Sequence, residues 1–180
     1  VGAPKNFAST IYAGGSAGSL DGNGVRAQFG EPEAFAIASD GTMYVADTQN
    51  STIRKIAPDG TVTTIAGQVR DAGSAEGPMG ENKLCYPKGI DIDDAGNVYI
   101  ADGGCSRIYR LSPDGQLTTI AGSGDGYADG PSREAAFEEP QGLAVFGNEI
   151  YVADKGNNAI RVLVPTENDY NVITLAGASN

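Results

Sequence analysis

Aspartate and arginine recur in this sequence at one fixed offset. Asp47 is followed seven residues on by Arg54, and Asp154 by Arg161. An isolated aspartate could serve as a general acid or base or hold a metal. A carboxylate and a guanidinium that return together once per unit are better explained as a structural ion pair tying two strands. The same offset from Asp102 reaches Tyr109 instead, so Asp102 is expected to turn to Arg107 or Arg110.

The segment "DIDDAGN" (91–97) offers a second kind of chemistry, because Asp91, Asp93 and Asp94 have the carboxylate density of a calcium loop. Calcium needs six to eight oxygens from a loop with an enforced turn. Asp91 and Asp93 fall instead in a predicted strand, where the equivalent residues are Ala36, Ala38, Ala144 and Phe146, and Asp94 opens the following turn. A buried Asp91 would need a partner such as Arg107 or a water. No metal and no cofactor is expected. The loops "DGNG" and "GDGYADG" read as turns, and "GSGDG" lacks the strand-then-helix context of a phosphate-binding loop. No serine sits in a nucleophile elbow. No histidine is present, which excludes histidine-based triads and most zinc chemistry.

Cys85 and Cys105 are the two cysteines. Cys85 lies just before the first strand of its unit, and Cys105 lies in the turn between that unit's second and third strands. In an up-and-down meander these places share one sheet edge, so a Cys85–Cys105 disulfide is expected, with two free surface thiols as the alternative. A disulfide points to an oxidising compartment. Asn50-Ser51-Thr52 is a glycosylation sequon. Asn50 reads equally as the turn residue of the repeat, as in "GNNAIR".

The elements that must position these residues come from a threefold repeat. Ala-Gly pairs at Ala13–Gly14, Ala66–Gly67, Ala121–Gly122 and Ala176–Gly177 are spaced by 53, 55 and 55 residues. Within the first unit, "EAFAIAS" (33–39), "TMYVAD" (42–47), "TIRKIA" (52–57) and "TVTTIAG" (61–67) are short runs rich in β-branched and aromatic residues, separated by turn chemistry. Helical periodicity is confined to a brief stretch, "SREAAFEE" (132–139). Long loops join the units, each with an acid–glycine pair (Asp21–Gly22, Glu76–Gly77, Asp129–Gly130) and a large apolar residue (Phe29, Leu84, Phe137) expected to plug the loop onto the blade it enters. The boundaries are 1–14 (an outer strand, 9–14, of a preceding or neighbouring blade), 15–67, 68–122, 123–177 and a tail, 178–180.

Four-stranded units at this period are those of a β-propeller. The words "PKGIDID" and "PQGLAV", "VYIAD" and "YVAD", "NNAIR", and "PDGxxTTIAG" closely resemble the NHL-repeat family over residues 10 to 177. The resemblance implies an all-β fold of blades around a channel, with the first strand of each innermost. Three blades plus one extra N-terminal strand amount to about half of a six-bladed ring. The first unit departs from the family words at Pro32-Glu33-Ala34, and the second at Tyr109.

A net charge of −11 disfavours nucleic acid as a partner. No apolar run approaches the roughly 18 to 20 residues of a membrane span, and no membrane insertion is expected. The start "VGAPKNFAST" is read as processed or excised from a longer chain. A half-ring leaves two apolar flanks to be covered by protein, either further blades or other copies of this chain. The expected function is a non-catalytic, extracellular interaction or structural module. The alternatives are a head-to-tail fibre subunit and a fragment of a propeller lyase or hydrolase with a channel site.

Overall fold

The computed structural model describes residues 10–177. The first blade consists of β1 (Pro32–Ile37), β2 (Met43–Asp47), β3 (Thr52–Ile56) and β4 (Thr61–Gly67). The second has β5 (Pro87–Ile92), β6 (Val98–Asp102), β7 (Arg107–Leu111) and β8 (Leu117–Ala121). The third has β9 (Pro140–Phe146), β10 (Glu149–Asp154), β11 (Ala159–Pro165) and β12 (Tyr170–Gly177). Each blade is an antiparallel meander in chain order. Two-residue strands, Gly22–Asn23 and Gly130–Pro131, add a fifth row along β4 and β12. A single bridge, Gly77 to Leu117, stands in that place on β8.

Because side chains alternate across a strand, each sheet has two faces, and the repeat assigns them consistently. Ala46, Ile53 and Ala66 of the first blade pack against Ile90, Ile100, Leu111 and Leu117 of the second. Their equivalents in the second blade, Ala101, Ile108 and Ala121, pack against Ile150, Val152, Leu163 and Val172 of the third. One face is small and flat, and the face it meets is branched and bulky. That complementarity sets how blade follows blade. The inner strands β1, β5 and β9 lie side by side in sequence order. Leu84 and Phe137 are fully buried plugs, and Phe29 packs against Val45, Ile56 and Val62.

Two expectations are corrected. Residues 10–14 join no ladder; Ser9 lies outside the described residues. A fourth strand needs a third strand beside it, and none of the described residues supplies one. The segment nevertheless sits where such a strand would. Tyr12 donates its hydroxyl to the carbonyls of Ala57 and Pro58, and Ala13 packs on the first blade. Ile65 lines a cavity with Ser112 and Pro113, the equivalents of Ala57 and Pro58 in the second blade. Gly14 also shares the left-handed φ of Gly67, Gly122 and Gly177. At Gly67 a Cβ would lie 2.1 Å from the Ser51 carbonyl oxygen, so only glycine fits. "SREAAFEE", in turn, forms no helix. It makes one turn closed by Glu134 and Ala135 donating to the Pro131 carbonyl, and then bridges. Its small residues are spent burying Ala135 and Phe137.

Candidate functional site

The chemistry-bearing residues gather along one edge of the blades, where the turn after each second strand meets the start of the first. In the first blade the Asp47 carboxylate is fully buried and saturated. It accepts from the Gly30 N–H at 2.6 Å, Asn50 Nδ2 at 2.9 Å and Arg54 Nη1 at 2.8 Å. Arg54 spends its other Nη donors on the carbonyls of Gln28 and Leu20 and on Asp21 Oδ1 at 2.8 Å, while its Nε is buried without a partner among the described residues. Its guanidinium lies 5.0 Å from the Phe29 ring centre. A planar fork of two Nη groups, each bonding two acceptors, is what this site uses.

The third blade repeats the arrangement. Asp154 accepts from the Glu138 N–H, Asn157 Nδ2 and Arg161 Nη1, each at 2.8 Å. Arg161 reaches Asp129 at 2.7 Å and lies against the rings of Phe137 and Tyr127. Burial works to raise the Asp129 carboxyl, but the Thr174 N–H and the Arg161 guanidinium outweigh it and hold it below the ordinary range. Sequence reasoning found Asp47, Arg54, Asp154 and Arg161. It treated Asp21 and Asp129 as turn residues only. The signal for them was available, because the acid–glycine pair keeps its place in every loop.

The second blade keeps the buried aspartate and a loop acid, Glu76, and replaces the rest of the set. Cys105 holds the position of Asn50 and Asn157, Cys85 that of Gly30 and Glu138, Tyr109 that of the arginines, and Leu84 that of the two phenylalanines. Cys85 and Cys105 are joined in a disulfide, with 5.5 Å between their Cα atoms. In the first blade a Cβ built on Gly30 would sit 2.9 Å from Asn50 Cγ. The repeat thus brings these two positions together with or without sulfur. Tyr109 meets Ser74 Oγ through its hydroxyl at 2.7 Å.

Asp102 stays buried and accepts from the N–H groups of Cys85 at 2.7 Å and Tyr86 at 2.9 Å. Burial pushes its carboxyl up, with those amides opposing. Neither Arg107 nor Arg110 forms a salt bridge with it among the described residues, contrary to expectation. Amides already enclose the carboxylate on the side of the Cys85–Tyr86 segment.

The calcium candidates are engaged elsewhere. Asp91 projects towards the third blade and accepts the Val145 N–H at 2.7 Å, so its partner is a neighbouring strand rather than Arg107 or water. Asp93 accepts from Asn97 and from Tyr99 Oη, closing its own turn. Asp94 is exposed. The sequon is also corrected. Asn50 is 2% exposed, and its Nδ2 is committed to the Gly18 carbonyl and Asp47, which leaves a glycan no room.

Beside this edge lies a cavity of about 350 Å³, lined by Glu31, Glu33, Tyr86, Lys88, Gly104 and Glu139. Lys88 approaches Glu33 at 3.7 Å, and Lys155 pairs with Glu139 at 2.9 Å.

The two outer flanks are the other notable surface. On the first blade the bulky face is uncovered, with Phe35 61% and Ile37 55% exposed above a cavity of about 320 Å³ that Phe29, Val45 and Ile56 line. On the third blade the small face is uncovered, with Ile160 41% and Leu175 59% exposed.

The NHL repeat family model matches residues 137–163. The chain is 32% identical over 154 residues to NHL repeat-containing protein 2 of Gallus gallus, covering 77% of this chain and 21% of that protein. A structural-genomics protein of unknown function from Bacteroides thetaiotaomicron is 29% identical with a TM-score of 0.65, covering 74% of this chain and 33% of that one. Virginiamycin B lyase of Staphylococcus aureus shares the fold at 17% identity and a TM-score of 0.55, over 79% of this chain and 40% of that one. The chain thus spans about a fifth of the curated relative and a third of the first solved one.

Proposed function

We propose, from the premise that this chain is a run of NHL-repeat propeller blades, that it is a non-catalytic, extracellular protein-interaction and structural scaffold. The NHL propeller fold itself supports an interaction scaffold. The observation that carries the finer reading is the pair of bare flanks. Each presents at its surface the residues that, one repeat along, are buried between blades.

On this reading further blades cover the flanks. Tyr12 and Ala13, seated on the first blade as Ile65 and Ala66 relate to the second, mark where the fourth strand of a preceding blade lies. The Cys85–Cys105 disulfide supports an oxidising, extracellular setting. A second reading, favoured by the match of the small face on the third blade to the bulky face on the first, covers the flanks with other copies of this chain.

Light scattering of the purified chain, combined with binding of a hydrophobic dye, tests both. A monomer that binds dye, and loses that binding in Phe35→Ser/Ile37→Ser, supports the first reading. A concentration-dependent dimer or filament supports the second. A monomer that binds no dye would overturn both. Turnover in a screen of ester, lactone and lyase substrates, with and without divalent metal, would overturn the non-catalytic assignment.

A further inference from the structure

We infer that Cys85, Cys105 and Asp102, once the disulfide is reduced, form a binding site for a thiophilic divalent cation such as zinc. One ligand atom from each of the three lies within 4.8 Å of the others. Asp102 and Cys105 are separated by two glycines, which gives the tight two-residue spacing of a metal knuckle, and Cys85 closes on them from the preceding loop. Cys105 is half-buried, which leaves a side open to a solvent ligand.

A second, independent observation points to a cation. The equivalents of Asp102, Asp47 and Asp154, each have a guanidinium at 2.8 Å. Asp102 is as deeply buried and has Tyr109 in that place. The second blade therefore keeps the buried carboxyl and omits the positive charge the repeat provides. Access is available as well. Gly104 and Tyr86 line both this corner and the open cavity beside it, whose wall carries Glu31, Glu33 and Glu139 against Lys88, with Glu139 also paired to Lys155.

The step balances. A dithiol or phosphine reductant supplies two electrons, two protons are taken up, and the sulfur–sulfur bond becomes two thiols while the reductant is oxidised. Binding the cation releases both thiol protons, so two thiolates and a doubly charged ion add no net charge to the site. The blade edge is then stapled by sulfur in either state: through a covalent bond when oxidised, and through a metal when reduced. This goes beyond the scaffold reading and does not depend on what covers the flanks.

The test uses the full chain, reduced with a phosphine and titrated with Co²⁺ under anaerobic conditions. The expected result is one equivalent bound, with a near-ultraviolet sulfur-to-cobalt charge-transfer band that Zn²⁺ abolishes and that the oxidised chain never develops. Asp102→Asn should weaken binding about tenfold or more. Cys105→Asn, which installs the residue of the other two blades and should fold, must lose the band. If reduction unfolds the chain, recovery of its circular dichroism on adding Zn²⁺ supports the site. A reduced chain that shows neither the band nor any response to Zn²⁺, or a band unchanged in Cys105→Asn, overturns it.

Discussion

Cys105 stands in the second blade where Asn50 stands in the first, three residues after the buried aspartate in both. In the first blade Asn50 joins that aspartate to the loop by hydrogen bonds to Asp47 and the Gly18 carbonyl. In the second, Cys105 joins its turn to Cys85 covalently. The change makes sense only as part of a set. Without the arginine the phenylalanine beneath it has no cation to meet, and leucine takes its place.

Loss of the blade-edge arginines should be among the most damaging single changes. Arg54→Met or Arg161→Met strands a buried aspartate and several carbonyls, at a cost of about 3 to 5 kcal/mol. Urea unfolding measures it. Lysine at either position should fail nearly as badly, because a single ammonium cannot reach two carboxylates and two carbonyls at once.

Breaking the disulfide should cost about 3 kcal/mol, as expected for two half-cystines 20 residues apart. Cys85→Ser under oxidising, metal-free conditions tests this by chemical denaturation. The fourfold change Leu84→Phe, Cys85→Gly, Cys105→Asn, Tyr109→Arg, which writes this set in the words of the first blade, should recover much of the loss.

Asn50 should carry no glycan in the folded protein. Intact mass after expression in a glycosylating host is expected to be unmodified at this position. Asn50→Ala should cost about 1 to 2 kcal/mol through the acceptors it leaves unmet.

Acid stability should follow Asp129. The Asp129 carboxyl is held below its ordinary value when folded, so its stabilising contribution is fully present above the unfolded value of about 3.9. That contribution is lost as pH falls through the lower, folded value. Asp129→Asn should flatten the acid limb of a stability-versus-pH curve and leave its shape near neutrality unchanged. An unaltered acid limb would remove Asp129 from the account.

The blades were legible because the repeat is written three times, and any strand misread in one copy is corrected by another. The Asp47–Arg54 spacing was legible for the same reason, since the register that sets Asp47 opposite Thr52 and Arg54 opposite Val45 makes the two diagonal neighbours. The roles of Asp21 and Asp129 were harder to read, because each stands more than thirty residues and two strands from its arginine, and the recurring acid–glycine pair is also what a simple turn requires. Asn50 is the turn residue of the repeat, as is Asn157, and only its exposure was misjudged, through the assumption that turns are wet. This one folds under the incoming loop, where Gly30 leaves it only enough room to bury its amide. Asp91 was hidden by the same locality, as its partner is an N–H on another blade.

The short rows Gly22–Asn23 and Gly130–Pro131 along the outermost strands have a consequence for handling this protein at high concentration. On the first and third blades each row covers part of the outermost strand, and Asp21 and Asp129 take the N–H groups of Thr64 and Thr174, so among the described residues that edge offers no long run of free backbone donors to a passing chain. Cross-β recruitment, which begins at such runs, finds no template there. Precipitation, where it occurs, should start from the greasy ends of the half-disc and respond to detergent rather than to strand-breaking proline substitutions.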